Sequence, residues 1–155
     1  MRTDELFAAG RNVLDTDDIE QVHDMRVASR RLRAVLEIFA PCFDRGQYRP
    51  VLRDVKALAD ALGTRRDPDV QLDALEKLAA RMGGPERRGI ELMAEGLRTE
   101  QALGNETLAA ALQDAEAGDL HGRLQALAAS ATDLESELDE AAPLFAPTVN
   151  GGDPA

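Results

Sequence analysis

His23, Arg26, Arg30 and Arg33 recur at spacings of three, four and three residues. On an α-helix, at ~100° per residue, they fall within an arc of roughly 80°. A row of guanidinium groups with an imidazole at one end suits the holding of an extended anion. Arg offers bidentate hydrogen bonds to phosphate oxygens and stays charged at every relevant pH. His23 could donate to the same anion, whose charge would favour its protonated form; the equal alternative is a hydrogen bond within the protein at a helix start. Like charges at these spacings cost a few tenths of a kcal/mol in an isolated helix, which a bound anion or an acidic neighbour would offset. Arg49, Arg53 and Lys56 form a second row at spacings of four and three, with Arg65 and Arg66 further on. Packed side by side, the two rows would wall a basic groove. The plain alternative is a solvated surface with ion pairs inside each helix.

The elements that must carry these rows follow from apolar spacing and breakers. A short helix is expected over Thr3–Leu14. The next runs from about Asp18, with Asp17 as N-cap and Glu20 three residues on, to Phe39 or Ala40 before Pro41. Its apolar residues Val22, Met25, Leu32, Leu36 and Phe39 keep seven-residue spacing, with Ser29 as the gap. A third helix opens between Gly46 and Pro50 and stops at Gly63. A fourth starts at Asp67-Pro68 and ends at Gly83-Gly84-Pro85. A long one follows from Glu86 to about Ala115, disturbed at Gly96 or Gly104. The last spans Asp119–Glu140 and carries Leu120, Leu124, Leu127, Leu134 and Leu138. The expectation is therefore an all-α antiparallel bundle of about six helices over residues 1–142, with a flexible tail over 143–155.

Composition narrows the function. The 155-residue chain has a net charge of −11, no Trp and one Tyr. Net acidity argues against general nucleic-acid binding, and scarce aromatics argue against a single-strand site built on base stacking. The charge is segregated, however. From His23 to Arg66 there are ten basic side chains against five acidic, whereas the rest of the chain has eight against 24. Such a stretch points to a local anion site. A single cysteine, Cys42, excludes an internal disulfide and suggests a reducing compartment. With no apolar signal-like start and no run of ~18 apolar residues, a soluble cytoplasmic protein is expected. Two histidines and one cysteine far apart make no metal set; Asp15, Asp17 and Asp18 are better explained by capping. No phosphate loop or nucleophile motif is present, so no enzyme, cofactor or catalytic residue is expected.

Two blocks carry a family resemblance. Val22-His23-Asp24-Met25-Arg26-Val27-Ala28-Ser29-Arg30-Arg31-Leu32-Arg33 resembles the His-x-x-Arg-Val-x-x-Arg-Arg-Leu-Arg opening of CHAD domains. Val55-Lys56-Ala57-Leu58, followed by Leu62-Gly63-Thr64-Arg65-Arg66-Asp67-Pro68-Asp69-Val70, is similar to that family's Leu-Gly-x-x-Arg-Asp-x-Asp-Val region. Residues 85–142 also look like its less distinctive helical part. The resemblance implies a helical domain of two related bundles whose basic surfaces line a channel for inorganic polyphosphate, and an association with polyphosphate granules. Carried over, the implied ligand-contacting residues are His23, Arg26, Arg30, Arg33, Lys56 and Arg66, with Arg31 and Arg53 after them. Asp67 and Asp69 would cap a helix or orient an arginine. No second His- and Arg-bearing helix follows; His121 starts no arginine run. The chain therefore reads as one half-repeat, whether a fragment, a degenerate copy or a natural single-repeat form. Two copies are expected to pair about a two-fold axis and replace the other half.

A competing reading from another class is a helical interaction or dimerisation module, in which the Leu- and Ala-rich helices over 86–140 dock a protein and no polyanion binds. The two readings separate on whether the arginine rows or the leucine faces matter.

Overall fold

Val22, Met25, Leu32 and Leu36 form the buried stripe of the first described helix, and Ala28 and Ser29 complete it. Ser29 fills the gap in the apolar pattern because its hydroxyl donates to the Arg26 carbonyl at 2.9 Å. A buried hydroxyl satisfied within its own turn costs little. The computed structural model describes residues 13–15 and 19–141. These form four α-helices: α1 (Ile19–Ile38), α2 (Arg45–Ala79), α3 (Pro85–Ala117) and α4 (Leu120–Ala141), with a 3₁₀ turn at Ala40–Cys42. No strand occurs among the described residues. The expected helix over Thr3–Leu14, the Asp17 cap and the tail over 143–155 lie outside them, apart from Val13 and Leu14, which sit in a turn.

The expected third and fourth helices are one. α2 runs unbroken for 35 residues through Gly63 and Asp67-Pro68, so the count is four α-helices among the described residues, not about six. Its start is set by Asp44, whose Oδ1 accepts from the backbone N–H of Gly46 at 2.9 Å and of Gln47 at 3.1 Å. Such a cap satisfies donors that a helix start leaves open. Pro68 lacks the N–H that would bond the Thr64 carbonyl, and an interior proline costs about 3 kcal/mol in isolation. Packing outweighs that cost: Pro68 is buried between Arg65 and Leu72 on the face that meets α3. At this level α3 presents Gly104, where an added Cβ would lie 3.0 Å from the Arg65 Cα and 3.1 Å from the Thr64 oxygen. The expected disturbance of α3 at Gly96 or Gly104 is absent; Gly104 serves close approach of two backbones, not a break.

A buried polar network crosses the same junction. Arg65, fully buried, pairs with Asp69 one turn on. Arg65 Nε also donates to Asn105 Oδ1 at 3.1 Å, and Gln101 Nε2 donates to Asp69 at 2.6 Å. Asn105 in turn donates to the Leu14 carbonyl at 3.0 Å, tying the chain before α1 to α3.

The main core lies at one end of the α2–α3 pair. Val51, Val55, Leu58 and Leu62 of α2 meet the α1 stripe, Leu108 of α3, and Leu120, Leu124 and Leu127 of α4. The side chains of Leu134 and Leu138 lie outside the described ones. Beyond Arg65 the two long helices continue as an arm held by Leu72, Ile90 and Ala94. Among the described residues no helix is long and apolar enough to cross a membrane.

The unbroken α2 makes opposite demands of Gly63 within it and of Gly104, which α3 packs against it. Gly63→Ala meets open space and is expected to stabilise by up to about 1 kcal/mol, whereas a helix ending there would be destabilised. Gly104→Ala is expected to cost about 1–3 kcal/mol by overpacking. Asp69→Ala, which strands a buried guanidinium, should cost about 3–5 kcal/mol. Urea unfolding followed by far-UV circular dichroism measures all three.

Candidate anion-binding face

The helical row on α1 lies along the edge of its buried stripe. Arg26 and Arg33 are half-buried, and His23 and Arg30 are exposed. The stems of such side chains cover apolar surface while their charged ends remain in water. Among the described residues the side chains of His23, Arg26 and Arg30 make no hydrogen bond or ion pair. Three adjacent groups are thus left with their donors unused.

Both ends of the row are joined to α2. At the C-terminal end, Arg33 Nε and Lys56 Nζ meet the same oxygen of Glu37, at 3.0 and 3.2 Å. Hydrogen bonds from Arg33 and then Lys56 hold the Glu37 carboxyl below its ordinary value, and desolvation opposes them only in part. At the N-terminal end, Arg66 donates to the Ile19 carbonyl at 3.2 Å, one turn before His23. Arg66 is half-buried and its hydrogen bond secures the α1–α2 junction. The structure therefore brings Lys56 and Arg66 to the edge that carries the row.

Arg31 and Arg53 are placed differently. Arg31 is exposed and, by helical rotation, sits ~100° beyond Arg30, away from the row. Arg53 is exposed and bonds its neighbour Asp54 at 3.1 Å. Arg49 is likewise exposed. Of the second row expected on α2, Arg49, Arg53 and Lys56, it is Lys56 that pairs with a side chain of α1, and Arg66, from outside that row, bonds to α1 as well.

Sequence reasoning missed three residues that hold this face in position. Arg65 stands beside Arg66 in a basic pair, yet it turns into the core while Arg66 turns to α1. Its signal was Asp69 at i+4, a spacing that brings the two onto one helix face. Glu37 had the same signal, four residues after Arg33. Arg123, from the stretch after His121, donates to Asp54 at 2.6 Å and to the Gly118 carbonyl at 2.8 Å, locking the α3–α4 corner onto α2. Nothing local marked it. His121 faces Gln125 on its own helix, 3.2 Å away.

No group of three His, Cys, Asp or Glu side chains gathers as a metal site among the described residues. A cleft of about 260 Å³ opens on the arm between Leu75, Ala79, Ile90 and Ala94, and includes no residue of the basic row.

The family model described as CHAD domain matches residues 2–150, nearly the whole chain. No curated protein and no solved structure shows significant similarity to it.

The Asp54–Arg123 contact has a pH signature. Burial pushes the Asp54 carboxyl up, but hydrogen bonds from Arg123 and Arg53 outweigh it and leave the value below the ordinary 3.8. A lowered folded value means stabilisation that is complete above the ordinary one and is lost as pH falls through the folded one. Arg123→Met is expected to cost about 1 kcal/mol or less at neutral pH, since the pair is about one-third exposed. That difference should shrink as pH falls below 3.8, as read from urea midpoints across the acid range.

Proposed function

Because the chain belongs to the CHAD domain family, we propose that it binds inorganic polyphosphate along the basic edge of α1 and α2, without catalysing a reaction on it. The observation that carries this reading is the set His23, Arg26 and Arg30, whose donors have no partner among the described residues. Arg33 and Lys56 extend it at one end and Arg66 at the other. Polyphosphate carries about one charge per phosphate and no bases, so spaced cations suffice and stacking aromatics are not needed. Arginine forks supply geometry as well as charge. Arg31 and Arg53 contribute through the local field rather than by contact. The setting that fits is the cytoplasm, alongside polyphosphate granules, and duplex DNA is a poor partner for a chain of net charge −11.

We also propose that two copies pair, so that two such edges serve one polymer. The support is apolar surface left outside the core: Leu92, Met93 and Leu103 of α3 are 66, 62 and 58% exposed. An interaction module without a polyanion ligand would use the same side chains.

The test is calorimetric titration with long-chain polyphosphate and with duplex DNA at two salt concentrations. Selective polyphosphate binding that weakens with salt is expected, because bound cations displace counterions. The double substitution Arg26→Gln/Arg30→Gln is expected to lower affinity on the order of 100-fold with helical content retained. Unchanged binding in that variant would rule the basic edge out, and loss of function only on Leu92→Asp/Leu103→Asp would favour the interaction module. For pairing, sedimentation across a wide concentration range should show a dimer; a clean monomer throughout would overturn it.

A further inference from the structure

Two cations of the candidate site are already spoken for by the protein itself. Arg33 Nε and Lys56 Nζ come from different helices and converge on Oε1 of Glu37, at 3.0 and 3.2 Å. Neither has another ion pair among the described residues. The distances are close to those of charge-assisted hydrogen bonds to any oxyanion. A phosphate oxygen would therefore seek the same donors, and Glu37 occupies the place it would take. Glu37 itself is 43% exposed and tied to nothing else, so it can swing away without unpacking the core. By rotation along α1 it also lies inside the arc of the row, one turn beyond Arg33. The row is thus unpartnered at His23, Arg26 and Arg30 but closed by an internal anion at Arg33 and Lys56.

We propose that Glu37 is an internal counter-anion that a bound polyphosphate must displace, so that this carboxylate sets the affinity of the site. This rests on the polyphosphate reading above and identifies the residue that tunes it. With Glu37 in place, the chain gains the Arg33 and Lys56 donors only by exchanging one anion for another. Without its charge, both donors are offered outright.

The experiment compares the full chain with Glu37→Gln and Asp24→Asn by calorimetry against long-chain polyphosphate at several salt concentrations. Asp24 is exposed and lies on α1 more than ~90° outside the arc of the row, so its substitution changes net charge by the same amount without touching the proposed contact. Glu37→Gln is expected to bind about tenfold more tightly, with a salt slope steeper by about one. Asp24→Asn should change affinity less than about twofold, as screened charge at a distance does. Equal effects of the two substitutions, or weaker binding by Glu37→Gln, would overturn the role of Glu37 while leaving the polyphosphate reading intact. No binding by any of the three chains, each shown folded by circular dichroism, would remove the reading and this inference together.

Discussion

The buried pair of Arg65 and Asp69 is the constraint on which the rest of the arrangement turns. Taking a guanidinium and a carboxylate out of water costs several kcal/mol per ion, and their attraction only roughly offsets it. Arg65 Nη2 and Asp69 Oδ2 are buried without hydrogen-bond partners among the described residues, so compensation is incomplete. What the pair contributes is register. Asn105 and Gln101 of α3 bond to it directly, and Gly104 between them lets the two backbones meet. A slide of α2 along α3 would leave charge stranded in the core, a penalty much larger than the loss of one apolar contact.

That register is transmitted to the anion-binding edge by the next residue. With Arg65 fixed against α3, Arg66 points ~100° round the helix and reaches the first residue of α1. Lys56, nearly three turns earlier, meets Glu37 near the other end of α1. α2 is thus a spine that packs on all three other helices, and α1 lies against it with its cations along one edge. Arg65, Arg66 and Arg123 hold the fold together, Arg33 and Lys56 are paired with Glu37, and His23, Arg26 and Arg30 have donors unused. A raw count of basic residues does not make this distinction, because satisfied and unsatisfied guanidinium groups look alike until their neighbours are known.

Much of the first helix was legible in the sequence for a simple reason. A stripe at helical spacing and a cationic row beside it are properties of one element, fixed by ~100° of rotation per residue. α4 was equally readable, from Leu120, Leu124 and Leu127, and so was the turn at Gly83-Gly84-Pro85. The failures share a cause as well. Gly63 and Asp67-Pro68 are helix-stopping signals whose cost is local, about 1 kcal/mol for Gly and 3 kcal/mol for Pro. Apolar burial of Leu62, Pro68 and Leu72 exceeds it.

By itself, then, the sequence determined the all-α class, the family to which two motif blocks belong, the amphipathic face of α1 and the segregation of positive charge into residues 23–66. Each is a matter of residue type and spacing along one strand of chain. Only the tertiary structure decided that α2 is continuous, that Arg65 is a core residue while Arg66 faces α1, and that Glu37 closes one end of the cationic row. Those outcomes depend on partners 19 to 47 residues apart in sequence, between Glu37 and Lys56, and Arg66 and Ile19, and local propensity carries no information about which distant group will arrive to satisfy a charge.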